Sequence, residues 1–343
     1  MISSEKGFAA RVPASLFGVV LGLAGLANVW RAAHAAWRLP AATGEGLFIV
    51  ATTAWVIIAT LYCLKWLQAP EVAYAEAEHP VQCCFIGLGG VSTLLIAQGA
   101  LPYSRTVAIV LFVVGSAITM AFALWRTGLL WRGDRTPATT TPVLYLPTVA
   151  GGFVSATVAG SLGWHDWGQL LFGAGFFSWL AIESVLLHRL YTGEPLPPAL
   201  RPTLGIQLAP PAVGAVSYIS VGQGNADMVA HAMIGYALLQ ALLLLRMCRW
   251  ITAQHFSASY WAFTFGATAL AGATIRLAPV NGEGAIAIIA PPVFVFANLL
   301  VLLVAAGSVR LLLQNQFLPA AVGLSAPRAS LTRNAVSSHG ETQ

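Results

Sequence analysis

Residues 203–221, "TLGIQLAPPAVGAVSYISV", carry no charge and four glycines or prolines; residues 228–248, "MVAHAMIGYALLQALLLLRMC", follow with one glycine and Arg246. Each run is long enough to cross a bilayer, which takes roughly 20 mostly apolar residues in a helix. They differ in what their backbones can do. Glycine and proline bend a helix and let neighbouring backbones approach closely. Lipid offers no partner for the backbone groups that a bend frees, so these must face protein or a water-lined cavity. A kinkable, charge-free helix followed by a straighter one reads as an inner helix followed by an outer one.

The rest of the chain repeats this pattern. Of its 343 residues, 57% are hydrophobic and only 8% are charged, where a soluble domain carries about a quarter charged residues. Such a chain cannot cover its surface with water-compatible groups, and it reads as an all-α integral membrane protein. Apolar runs lie near 15–37, 45–67, 81–101, 104–130, 143–162, 167–190, 202–222, 227–252, 258–277 and 284–313, giving ten expected spans. None alternates with period two, which excludes a β-barrel. The first run resembles a signal-peptide core, but its length and the flanking Trp30, Arg31 and Trp37 make it a retained span.

The expected domains are a short cytoplasmic N-terminus (1–14), a membrane domain (15–317) and a disordered cytoplasmic tail (318–343). Thirteen of the 17 basic residues fall on the side of the termini, and Arg31, Arg38, Arg105 and Arg276 fall on the other. That bias puts both termini in the cytoplasm of an inner (plasma) membrane. No basic run suggests nucleic acid. Cys63, Cys83, Cys84 and Cys248 have no CxxC spacing, so neither a disulfide framework nor a metal site is expected, and no cofactor.

The central windows of the odd spans hold 17 glycines or prolines against 8 in the even ones, and charges occur only in the even ones. Five parallel hairpins follow, with odd helices lining a central pore and even helices outside. Ordinary small-residue helix packing is the competing explanation of the same composition. The expected lining comprises Gly18, Leu21, Gly22, Gly90, Gly151, Pro210, Thr268 and Gly272.

In "YWAFTFGATALAG" (260–272), Phe263 and Phe265 stand two apart, hence about 200° apart around a helix. The face of Phe265 also carries Ala262, Thr268, Ala269 and Gly272, all small, whereas Phe263 shares its face with Tyr260, Ala267 and Leu270. A pore can run along the small face, and a single ring on it would obstruct that pore. Phe265 is the expected plug.

Glu183, inside the sixth span, is a possible buried acidic site. An intramembrane carboxylate is costly and is a functional-site hypothesis by default. Its alternative is a structural group held by hydrogen bonds. "GLGGVS" (87–92) and "GQGNAD" (222–227) echo glycine-rich nucleotide loops but do not link a strand to a helix. No nucleophile–base pair or metal-ligand set appears, so an enzyme is not expected.

The stretch "YLPTVAGGFVSATVAGSLGWHDWGQLLFGAGFFSWLAIESVLLHRL" (145–190), together with "RPTLGIQLAPPAVGAVSYIS" (201–220) and 260–272, resembles one known family. It unites bacterial tellurite-resistance proteins, plant slow anion channels and fungal malate and sulfite transporters. The resemblance implies ten helices in five hairpins, a homotrimer with one pore per subunit, and a gating phenylalanine that matches Phe265. Where the family carries a proline in the third span, this chain has Gly89-Gly90. The expected function is an anion channel passing small monovalent anions of the chloride and nitrate type. Its selectivity would come from pore width, Thr and Ser hydroxyls and backbone dipoles at kinks. The alternative is a proton-coupled transporter of C4-dicarboxylate, sulfite or tellurite, with Glu183 as the coupling group.

Overall fold

The computed structural model describes residues 7–133, 137–222, 227–278 and 283–318, and among these there are helices and no strands. Nearly all of the expected tail lies outside the described residues, as do residues 1–6 and most of "GQGNAD". Five long helices are α2 (Ala41–Gln68), α5 (Arg105–Leu130), α7 (His165–Thr192), α9 (Met228–Arg246) and α12 (Ala285–Leu313). Five others are α1 (Phe17–Trp37), α4 (Leu88–Ala100), α6 (Gly151–Ser161), α8 (Ala209–Val221) and α11 (Thr264–Leu277). Two short helices, α3 (Pro70–Glu78) and α10 (Cys248–Ile251), lie in connections.

Each of the second five begins in an unwound turn on the side of the N-terminus. A 3₁₀ segment precedes α1 (Ala14–Leu16), α4 (Gln82–Gly87), α8 (Pro198–Leu208) and α11 (Ala258–Phe263). Before α6 the chain passes through a 3₁₀ turn (Pro142–Tyr145) and a π turn (Leu146–Ala150). Pro142, Pro147, Pro198 and Pro202 remove the N–H that would continue an α ladder, which accounts for two of these segments. The segment before α4 unwinds at Gly87 without any proline. An unwound start thus recurs at each of these five glycine- and proline-bearing helices.

Burial separates the two sets. In their most apolar stretches, the segments around α1, α4, α6 and α8 are 56–83% buried, while α2, α5, α7, α9 and α12 are 17–28% buried. α11 packs against α8, α1 and α12, and α6 packs against α8 and α4. An inner group of helices is therefore wrapped by an outer group whose exposed leucines, valines and phenylalanines face outward.

Among the described residues, nine helices are long and apolar enough to cross a membrane, one fewer than the sequence reading expects. The missing one is 258–277, divided into a 3₁₀ turn and the 14-residue α11. Its threonines and glycines lower its apolarity, and it can carry them because most of it is buried against protein. The eighth run also stops short of 252, closing at Arg246 before α10.

α3 ties α2 to the chain just before α1. Lys65 Nζ donates to Glu76 Oε2 at 2.8 Å and to the Val12 carbonyl at 3.1 Å, while Ala14 N–H donates to Glu76 Oε1 at 2.8 Å. The pair is buried, at 4% and 8% side-chain exposure. Removing one member strands a charge that burial has already stripped of water. Lys65→Met should therefore cost about 3–5 kcal/mol, read as a lowered unfolding temperature in detergent, and adding Glu76→Leu should restore part of it. At α9, the Tyr218 hydroxyl and two backbone N–H groups hold the capping Asp227 carboxyl below its ordinary pKa.

Candidate ion pathway

Two cavities lie end to end inside the inner group. The proximal one, on the side of the N-terminus, has a volume of about 110 Å³, and the distal one about 40 Å³. Every lining residue comes from the five inner segments, and each segment contributes to both cavities in chain order. On α1, Gly18 and Leu21 line the proximal cavity and Gly25 and Asn28 the distal one. On the third segment Phe85 and Leu88 give way to Leu95 and Gln98, and on α6 Phe153 gives way to Val154 and Thr157. Beyond the distal cavity an open vestibule of about 500 Å³ is lined by Asn28, Arg31, Gln98 and Arg276, among others.

Phe265 and Val213 are the two residues shared by both cavities. The Phe265 ring also lies beside Gly25, where a Cβ would come within 3.6 Å of its Cδ2. Phe263 points elsewhere. Its ring seats on Gly205, where a Cβ would meet it at 2.6 Å, and it stacks on Tyr260 with centroids 6.2 Å apart. The two rings thus part, one between two cavities and one in packing, with Phe263 closing the 3₁₀ turn and Phe265 in the first turn of α11.

Of the other expected lining residues, Gly18, Leu21 and Pro210 line the proximal cavity, and Thr268 and Gly272 the distal one. Gly22, Gly90 and Gly151 line neither. A Cβ on Gly22 would strike Thr264 Oγ1 at 2.3 Å, one on Gly90 would strike Thr119 Cγ2 at 2.7 Å, and one on Gly151 Thr119 Cβ at 2.9 Å. These three glycines serve close helix approach, inner to inner for Gly22 and inner to α5 for the other two. Glycine content marked them as small without fixing the direction in which each faces.

Three threonine hydroxyls of the lining are committed to backbone. Thr268 donates to the Phe265 carbonyl at 3.0 Å, Thr157 to Phe153 at 2.9 Å and Thr203 to Leu200 at 2.6 Å. A hydroxyl has one hydrogen to give. Once it is spent on the helix backbone, the group offers an anion no donor. The proximal cavity contains no charged side chain in its lining.

Glu183 is buried at 8% exposure and faces neither cavity. Five side chains donate to its carboxylate: Tyr145, Trp179 (2.9 Å), Gln207 (3.1 Å), Tyr236 (2.5 Å) and Gln240 (3.4 Å). A carboxylate, an acceptor at both oxygens, matches that set. Tyr145 lines the proximal cavity, so Glu183 stands one residue behind its wall. It ties the unwound starts of α6 and α8 to α7 and α9. Sequence reading named Glu183 but none of its donors, which come from four separate segments.

The chain is similar to known membrane proteins. The family model described as SLAC1, voltage-dependent anion channel, matches residues 11–309. The tellurite resistance protein TehA homolog of Haemophilus influenzae is 34% identical over 309 residues, covering 89% of this chain and 92% of its own. The S-type anion channel SLAH3 of Arabidopsis thaliana is 28% identical over 80% of this chain and 44% of its own. The guard cell S-type anion channel SLAC1 of the same plant is 25% identical over 79% and 50%. The chain spans about half the length of these two plant relatives.

Proposed function

We infer the function from one premise: the chain belongs to the SLAC1 voltage-dependent anion channel family. It is a multi-pass membrane protein whose relatives include proteins named as anion channels. On that footing we read it as a channel for small monovalent anions, with Phe265 as the gate of a pore formed by the five inner segments. The observation that carries this reading is the pair of aligned cavities, walled by inner segments alone and sharing Phe265 and Val213.

In this reading 258–277 is the tenth span, and both termini face the cytoplasm of the inner (plasma) membrane. Three copies assemble with one pore each, as the resemblance implies. The rival is proton-coupled transport of dicarboxylate, sulfite or tellurite. It needs a titrating group open to the path, whereas Glu183 lies behind Tyr145 with its oxygens already occupied.

A path whose inner half carries no charge cannot bind one anion tightly, so an entering ion loses part of its hydration shell with little return. Permeability should therefore follow ease of dehydration. Bi-ionic reversal potentials should rank nitrate and iodide at or above chloride, and chloride above fluoride, with potassium nearly excluded. A preference for fluoride, or comparable potassium permeation, would overturn this account of selectivity.

A further inference from the structure

The stripe that α11 turns toward the path does not end at Gly272. Phe265, Thr268, Gly272 and Arg276 follow at spacings of three and four residues, one face of an α-helix. Eleven residues at about 1.5 Å each put Arg276 roughly 16 Å along the helix from the plug. It lines both the distal cavity and the vestibule beyond, and it is exposed there.

The other arginine on that vestibule is already paired with a carboxylate. Arg31 makes a two-pronged ion pair with Glu45, at 2.9 and 2.7 Å, and also donates to the Gly99 carbonyl at 2.9 Å. No ion pair engages Arg276 among the described residues. Two amides lie on the same cavity wall. Asn28 Nδ2 donates to Gln98 Oε1 at 3.4 Å, which leaves the hydrogens of Gln98 Nε2 uncommitted among the described residues. With the Thr157 and Thr268 hydrogens committed to backbone, the side-chain donors left in the lining of the distal cavity are this guanidinium and these amides.

We propose that Arg276, with the side-chain amides of Asn28 and Gln98, forms an anion-binding site at the distal mouth that loads the pathway from that side. The planar guanidinium fork suits small oxyanions such as nitrate, whose flat face can accept two parallel hydrogen bonds. The site acts on entry rather than on the gate, because 16 Å exceeds the screening length of about 8–10 Å in physiological salt. It makes the two ends of the path unequal, since the proximal cavity has no charged lining. The proposal deepens the channel reading and rests on it for its functional consequence, while the binding itself does not.

Two measurements test it. Crystals of the full chain grown in bromide should show an anomalous peak within hydrogen-bonding distance of the Arg276 guanidinium, lost in Arg276→Gln. In a Phe265→Ala background under voltage clamp, Arg276→Gln should raise the half-saturating nitrate concentration for entry from the distal side on the order of tenfold, the scale of electrostatic enrichment at a charged cleft. Entry from the proximal side should be unchanged. Arg276→Lys, which keeps the charge but not the fork, should fall between and confirms that the site still folds. Absence of bromide at Arg276, or equal effects of Arg276→Gln on both directions, overturns the proposal. If Phe265→Ala carries no current, the channel reading fails, and the bromide position still decides whether the anion site exists.

Discussion

Phe265→Ala is expected to raise anion flux through reconstituted protein by tenfold or more, with the fold intact. The ring is shared by the 110 Å³ and 40 Å³ cavities, and apart from Val213 nothing else belongs to both. Cutting it back to a methyl joins the two spaces. The residues that follow on its stripe, Thr268 and Gly272, are too small to replace it. Each ~1.4 kcal/mol removed from a barrier is a factor of ten in rate, and a bulky ring at the junction of the cavities is expected to contribute at least that much. Phe263→Ala is the control. That ring is half-buried on Gly205 and Tyr260, so its loss should cost about 3 kcal/mol of stability at most, the low end for a phenylalanine truncation. It should leave flux at the wild-type level. A conducting Phe263→Ala beside a silent Phe265→Ala would assign the plug to the wrong ring.

The second large effect is expected at Glu183, and on stability rather than transport. Glu183→Leu leaves five donors facing an apolar side chain, among them the buried Tyr145 and Trp179. Each buried donor without a partner costs about 1–3 kcal/mol, so the loss should reach about 3 kcal/mol or more, read as a fall in detergent unfolding temperature. Glu183→Gln replaces one acceptor with a donor and should lose less. Both variants that fold should keep the wild-type anion ranking. If Glu183→Gln instead stays fully stable while transport loses a pH dependence that the wild type has, the carboxylate is a coupling group and the carrier reading gains.

The division into inner and outer helices was legible because lipid imposes it on composition. Outer helices must be apolar and need no bends, whereas inner ones can carry glycine, proline and hydroxyls. The placement of Phe265 beside both cavities was legible because residues two apart on a helix face nearly opposite ways, which leaves little choice about which ring joins the small face. What escaped depended on direction and on partners. Gly22 and Gly90 are as small as Gly18, yet they meet Thr264 and Thr119 rather than the cavities. Thr268 lies on the wall, but its hydrogen belongs to the Phe265 carbonyl. In the charge count Arg276 is only one of four basic residues on the side opposite the termini, although extending the Phe265 stripe by one further turn places it beside the distal cavity. The donors of Glu183 lie up to 57 residues from it in sequence and reach it only through packing, which no local pattern records.

The central claim is that a pore runs along the five inner segments and is closed by one ring. It is tested most directly by recording purified Phe265→Ala and wild-type protein in a voltage-clamped bilayer across a steep chloride gradient, at acid and neutral pH. The account predicts a large current in Phe265→Ala alone, reversing at the chloride equilibrium potential and unchanged by pH. A Phe265→Ala current no larger than wild type, or a small flux that follows the proton gradient, would contradict it.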